Sequence, residues 1–245
     1  MHFDSEARLD GGVLRRGFTH DEVPGVLWTP ASATSSAPVP LILLGHPGGL
    51  RRMHPRLEAR ARHCAGLGYA AATVELPGSG ERPSIAVVER ARTDLRQAIA
   101  AGERPSDDVV DRLILPLVEQ AVPEWRSVLD AVLELPEVGG PVAISGGVIA
   151  VGVRLAAVEP RIVAAGLFAG SYVPRSIIEQ ARLVTVPVHV LLQWDDRGND
   201  RQMALDLFDA FASREKTLQA NTGGHTGVPQ FAADDASRFF ARHLG

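Results

Sequence analysis

Between residues 39 and 243 the chain alternates short apolar runs with longer stretches of helical spacing, and this alternation narrows the fold more than any other property of the sequence. Residues 39–44, 69–76, 142–144, 162–169 and 188–194 are predominantly apolar on successive positions, the pattern of strands buried on both faces. Helical patterns fall between them, over residues 55–67, 85–101, 107–135, 177–183 and 199–212, with another following residue 145 to about residue 158. The pattern over 107–135 is interrupted by Pro116 and Pro123. A final strand is expected at 216–220 and a closing helix at 229–243. Strands and helices in this order imply an α/β fold, with a mostly parallel sheet covered by helices on both faces.

Ahead of this pattern, residues 13–18 and 23–28 read as a hairpin or edge strands, and residues 31–38 as a polar connector. The 245 residues fit one domain, and no internal repeat divides them. The stretch from about Gly80 to Pro123 is long for a single crossover, so a small helical lid over residues 81–123 is expected. A formal charge of −4 gives no electrostatic reason to invoke nucleic acid or an anionic membrane. The N-terminal Met-His-Phe-Asp-Ser-Glu lacks an apolar core, and no apolar run approaches a membrane span, so a cytoplasmic protein is expected. The single cysteine, Cys64, excludes an intramolecular disulfide and any cysteine-rich metal cluster, and no histidine–carboxylate motif points to a metal.

In an open α/β sheet, ligands bind beyond the carboxyl ends of the strands, so the residues just after each apolar run are the ones to inspect. Residues 141–149, Pro-Val-Ala-Ile-Ser-Gly-Gly-Val-Ile, carry a strand into a small-residue turn and then a helix, with Ser145 at the expected bend. That is the setting of a nucleophile elbow, in which a strained turn exposes a serine hydroxyl above the sheet. Ala143 and Gly147 provide the small residues two positions either side. Asp195 and Asp196 follow the run at 188–194, and His225 follows the last strand within Thr-Gly-Gly-His-Thr-Gly.

A serine hydroxyl attacks well only when a base takes its proton, an imidazole is suited to that at neutral pH, and a carboxylate on the far ring nitrogen fixes its tautomer. Ser145, His225 and Asp196 are therefore the candidate catalytic residues. Asp196 lies one residue further into the turn than the alternative orienting acid, Asp195. For oxyanion donors the candidates are the N–H groups of Gly146 and of Gly48, since Pro47 in His46-Pro47-Gly48-Gly49 has no N–H to offer.

Glu75, which ends its strand, and Arg51, beside the glycine loop, are candidate substrate-binding residues. The wider cluster Arg51, Arg52, Arg56, Arg60 and Arg62 reads first as a solvated helix face, His46 as a backbone-bonded structural residue, and Cys64 as a small buried hydrophobe.

These features together resemble the dienelactone-hydrolase-like branch of the α/β-hydrolase superfamily. The resemblance is carried over nearly the whole chain by Leu-Leu-Gly-His-Pro-Gly-Gly at 43–49, the Ser145 turn, Glu-Pro-Arg-Ile at 159–162, Leu-Gln-Trp-Asp-Asp at 192–196 and Gly-Gly-His at 223–225. It implies the α/β-hydrolase fold and a cofactor-free serine hydrolase acting on a small-molecule ester, lactone or related acyl substrate through an acyl-enzyme, with Ser145, Asp196 and His225 as the triad. Dienelactone hydrolase itself carries a cysteine where this chain has Ser145. The superfamily also contains non-hydrolytic members, so a cyclase or lyase acting on a natural-product intermediate is the alternative. Beyond the substrate, the only partner considered is a second copy in a homodimer.

Overall fold

A computed structural model describes all residues, 1–245. The nine strands are β1 (His2–Arg8), β2 (Leu14–His20), β3 (Val23–Thr29), β4 (Val39–Gly45), β5 (Ala70–Val74), β6 (Val138–Gly146), β7 (Ile162–Ala169), β8 (Val188–Gln193) and β9 (Lys216–Asn221). The seven helices are α1 (Leu50–Gly66), α2 (Ala86–Ala100), α3 (Asp107–Leu133), α4 (Ile149–Val158), α5 (Arg175–Ala181), α6 (Arg201–Ala210) and α7 (Gln230–Leu244). All strands join one sheet in the order β1-β2-β3-β5-β4-β6-β7-β8-β9. The first three are antiparallel, β3 pairs antiparallel with β5, and every pairing from β5 to β9 is parallel. This is the α/β-hydrolase fold, with helices on both faces as the alternation of the sequence requires.

The period of two along β4 divides the core. Leu41 and Leu43 enter the larger cluster with α3, α4, α5 and α6, whereas Ile42 and Leu44 enter a smaller one with Leu57, Ala61 and Cys64 of α1 and Phe239, Phe240 and Leu244 of α7. Ile144 and Ala143 of β6 repeat this division. The chain leaves β4 through α1 toward β5, and leaves β6 through α4 toward β7, on the opposite face. The switch point of the sheet, where a crevice opens in such folds, therefore lies beyond the carboxyl ends of β4 and β6.

Three elements differ from the sequence reading. Strand β1 had no apolar signal, because it is an exposed, largely polar edge strand held by its ladder to β2. Helix α3 runs unbroken through Pro116 and Pro123. Each proline removes a helical hydrogen bond, but Ile114, Leu117, Val118, Ala121, Val122, Trp125 and the apolar residues after them are buried against the sheet, and that packing holds the helix. Its buried face makes α3 the crossover helix between β5 and β6, so residues 81–123 are not one separate layer: α2 lies outside, on α3, with only Val88 and Ala91 buried. Strand β6 also extends further than expected, through Ser145 to Gly146.

The C-terminal end of α4, a helix length from the turn that follows β6, is fixed by Glu159. Its buried carboxylate accepts from Arg161 Nε at 2.7 Å and Nη2 at 2.8 Å, from the Arg161 N–H at 3.1 Å and from Arg126 Nε of α3 at 3.1 Å. These bonds, those from Arg161 foremost, pull the Glu159 carboxyl down to about 2 from 4.5. A carboxyl depressed on folding stabilises the native state fully above its unfolded value, and the contribution is lost as pH falls toward its folded value. Urea denaturation at several pH values should therefore show Glu159→Gln less stable than the parent at neutral pH, with the gap closing between about pH 4.5 and about pH 2. A gap independent of pH would exclude this role.

Candidate active site

His225 lies on the loop between β9 and α7, and β8 positions it. Gln193 Nε2 donates to Gly224 O at 3.1 Å, Asp195 Oδ2 accepts from Gly223 N at 2.9 Å, and Trp194 N donates to Asn221 O at 2.7 Å. His225 Nδ1 donates to Asp196 Oδ2 at 2.7 Å, and the other carboxylate oxygen accepts from Gly198 N at 3.0 Å. The two adjacent acids thus divide the work, Asp195 holding the loop and Asp196 the imidazole. With Nδ1 donating, Nε2 of the neutral ring is an acceptor. The Asp196 side chain is 4% exposed and that of His225 49%, so the carboxylate is sheltered while the ring faces solvent. Phe168 packs edge-on against the ring, with centroids 5.2 Å apart.

Ser145 occupies a different environment. The residues with positive φ where β6 ends are Gly146 (71°) and Gly147 (88°), while Ser145 remains in the ladder between Leu44 of β4 and Gly166 of β7. The turn therefore falls on the two glycines, which adopt such angles without strain, rather than on the serine as its neighbours in sequence suggest. Ser145 shares the face of Leu44 and Ala143, toward α1. There its Oγ accepts a 3.0 Å hydrogen bond from Arg60 Nη2, and no hydrogen bond joins it to His225.

Arg60 is the residue whose role the sequence reading missed. Its guanidinium bridges the two central strands, with Nη1 donating to Gly45 O at 3.1 Å and Nη2 donating to Ser145 O at 2.8 Å. Burial pushes it down to about 10, which leaves it charged at neutral pH. Helical spacing carried the signal, since Arg60 lies three residues after Leu57 and four before Cys64, both buried.

The remaining candidates fall around the loop after β4. Gly48 N has no backbone or side-chain acceptor, so it is free to donate. His46 is buried and its Nε2 donates to Val74 O at 2.8 Å; burial holds its imidazole below the usual range. Both Glu75 oxygens, at 3.0 and 3.1 Å, accept from Leu50 N at the start of α1, and burial raises its carboxyl. Glu75 is thus committed to the helix terminus rather than to the crevice. Arg51 is exposed on the first turn of α1 and makes no ion pair. No cluster of three or more histidine, cysteine or acidic side chains is arranged to hold a metal, and no helix is long and apolar enough to cross a membrane.

Comparison with protein-family models and with curated proteins gives no match. Among solved structures, the chain is similar to a cold-adapted esterase from an Arctic intertidal metagenomic library, with 28% identity, complete coverage of both chains and a TM-score of 0.77. It shares its fold with an acetyl xylan esterase from Paenibacillus sp. R4 at 14% identity and a TM-score of 0.65, over 99% of this chain and 88% of the other. A Klebsiella pneumoniae protein described as a dienelactone hydrolase matches at 16% identity and a TM-score of 0.64, over 94% of this chain and 97% of the other.

The fit of His225 can be tested at Gly170, where a Cβ would lie 2.9 Å from His225 Cε1 and 2.3 Å from Phe168 Cε1. Gly170→Ala should shift the imidazole resonances of His225 in NMR spectra and lower stability by about 1–3 kcal/mol, the usual range for overpacking. Unchanged resonances would show that the ring is not held there.

Proposed function

We propose that this chain, dienelactone-hydrolase-like in its α/β-hydrolase fold and carboxylic-ester-hydrolase-like as an enzyme, hydrolyses a small acyl ester or lactone at the strand ends, with His225 as general base oriented by Asp196. The observation that carries this reading is the 2.7 Å bond between His225 Nδ1 and the sheltered Asp196 carboxylate, which leaves Nε2 facing solvent as a proton acceptor. Gly48 supports it with a free N–H on the loop where the second oxyanion donor of this fold resides.

Two nucleophiles are compatible with this base. Attack by Ser145 gives an acyl-enzyme, with the Gly146 and Gly48 N–H groups stabilising the oxyanion. That route requires the serine hydroxyl to exchange Arg60 for His225. Attack by a water that His225 deprotonates requires no exchange, and the Arg60–Ser145 bond favours it. In that route water adds to the acyl carbon, the tetrahedral oxyanion collapses, and the imidazolium returns its proton to the departing alkoxide. The same bond supports a second reading, in which His225 performs acid–base chemistry in a non-hydrolytic cyclase or lyase.

A panel of short-chain esters and lactones, combined with fluorophosphonate labelling, separates these routes. The water route predicts ester turnover without labelling of Ser145, a loss of about 10²–10⁴-fold in Asp196→Ala and His225→Ala, and a change in Ser145→Ala within about tenfold. Labelling of Ser145, with loss of activity in Ser145→Ala, assigns the acyl-enzyme instead. Absence of turnover across the panel, with a properly folded protein, overturns ester hydrolysis.

A further inference from the structure

Arg60 presents an electrostatic imbalance at the switch point of the sheet. Its half-buried guanidinium meets only neutral groups, Gly45 O, Ser145 O and Ser145 Oγ, and no carboxylate lies within ion-pair distance. Several other partly buried arginines of the fold are paired, Arg16 with Glu137, Arg82 with Glu124 and Arg161 with Glu159 and Asp130, whereas Arg154 of α4, like Arg60, has no ion pair. A guanidinium carries five N–H donors. Three hydrogen bonds to strand-end oxygens leave the second Nη1 hydrogen and the Nε hydrogen without a protein acceptor.

A cation withdrawn from water is stabilised most by an opposite charge. Here the protein provides none. The turn after β6 leaves the group uncovered, because a Cβ at Gly146 would stand 3.2 Å from Arg60 Nη2 and 3.5 Å from Nη1. The next residue, Gly147, packs instead on the end of β4, where a Cβ would meet Gly45 Cα at 2.8 Å. Gly146, with no side chain, therefore borders an unneutralised cation beside the strand ends, where such folds bind their ligands.

We propose that Arg60 is an anion-recognition residue of this crevice and that the site takes a small organic carboxylate. The guanidinium fork matches a carboxylate, and the bonds to Gly45 and Ser145 hold it in place before the ligand arrives. The carboxylate is that of the acid released by hydrolysis or one borne by the substrate itself. The inference rests on placing the ligand at the strand ends, as the proposed function does, but it requires no turnover.

Calorimetric titration of the full chain with sodium butyrate and, separately, with butyramide tests it. The expected result is that butyrate binds about 10- to 100-fold more tightly than the amide, the range of a hydrogen bond to a charged group. Arg60→Met should abolish this preference and His225→Ala should retain it. Equal binding of the two ligands by the parent protein, or an undiminished preference in folded Arg60→Met, overturns the proposal. Should Arg60→Met not fold, Arg60→Gln, whose neutral amide keeps a donor for the strand-end oxygens, serves in its place, with loss of the preference supporting the proposal and its retention overturning it.

Monomethyl and dimethyl succinate as substrates locate the carboxylate. A kcat/KM advantage for the monoester that Arg60→Met or Arg60→Gln removes assigns it to the substrate, and butyrate inhibition without that advantage assigns it to the released acid. Butyrate binding that depends on Arg60 in a protein that hydrolyses no ester would sustain this inference while the hydrolytic reading fails.

Discussion

The arrangement of the crevice depends on a backbone-to-backbone contact between β4 and the turn after β6. A Cβ on Gly45 would lie 2.6 Å from Gly146 O and 2.8 Å from Gly147 Cα, so neither side of this contact has room for a side chain. Because the strand ends meet so closely, β4 and β6 stay paired to Gly45 and Gly146 before their connections leave for opposite faces. The same closeness puts the carbonyls of Gly45 and Ser145 within reach of a single guanidinium. Arg60, the turn and the position of Ser145 all follow from how tightly two chain segments cross.

The protein buries charge in three different ways. Glu159 is neutralised outright by arginines and held fully ionised. Glu75 is matched to the partial positive charge of a helix start, a weaker partner, and its carboxyl remains above the usual value. Arg60 has neutral dipoles alone. The first arrangement serves the scaffold and the second anchors the loop after β4. The third leaves unbalanced charge where the sheet opens, a location at which stability gains nothing from it and recognition can.

Much of this architecture was legible because buried parallel strands leave an unambiguous apolar signature. The sequence placed β7 at 162–169, and the structure forms it over Ile162–Ala169. Legibility failed where packing overrides local chemistry. The prolines of α3 read as breaks, yet burial of one helix face outweighs two missing hydrogen bonds. Strand β1 has no apolar stripe, because only one of its edges is bonded and its side chains face water. At the site, Asp196 and His225 were readable from their places after strands. The surroundings of Ser145 were not, since the serine stays in the ladder and the turn falls on the two residues after it. The two glycines that follow were the cue, as they are better suited than a serine to positive φ.

The mounting of His225 links its integrity to a particular part of the sheet. The hydrogen bonds that pin the loop carrying it come from β8 and the turn after it and from the end of β9, and β9 is the outermost strand, bonded on one side only. Outer strands open in excursions smaller than global unfolding. Such an opening of β9 from β8 would part the imidazole from its carboxylate and leave the core around β4 and β6 in place. The contact between His225 and Asp196 thus depends on the grip of one peripheral ladder more than on the depth of the hydrophobic interior.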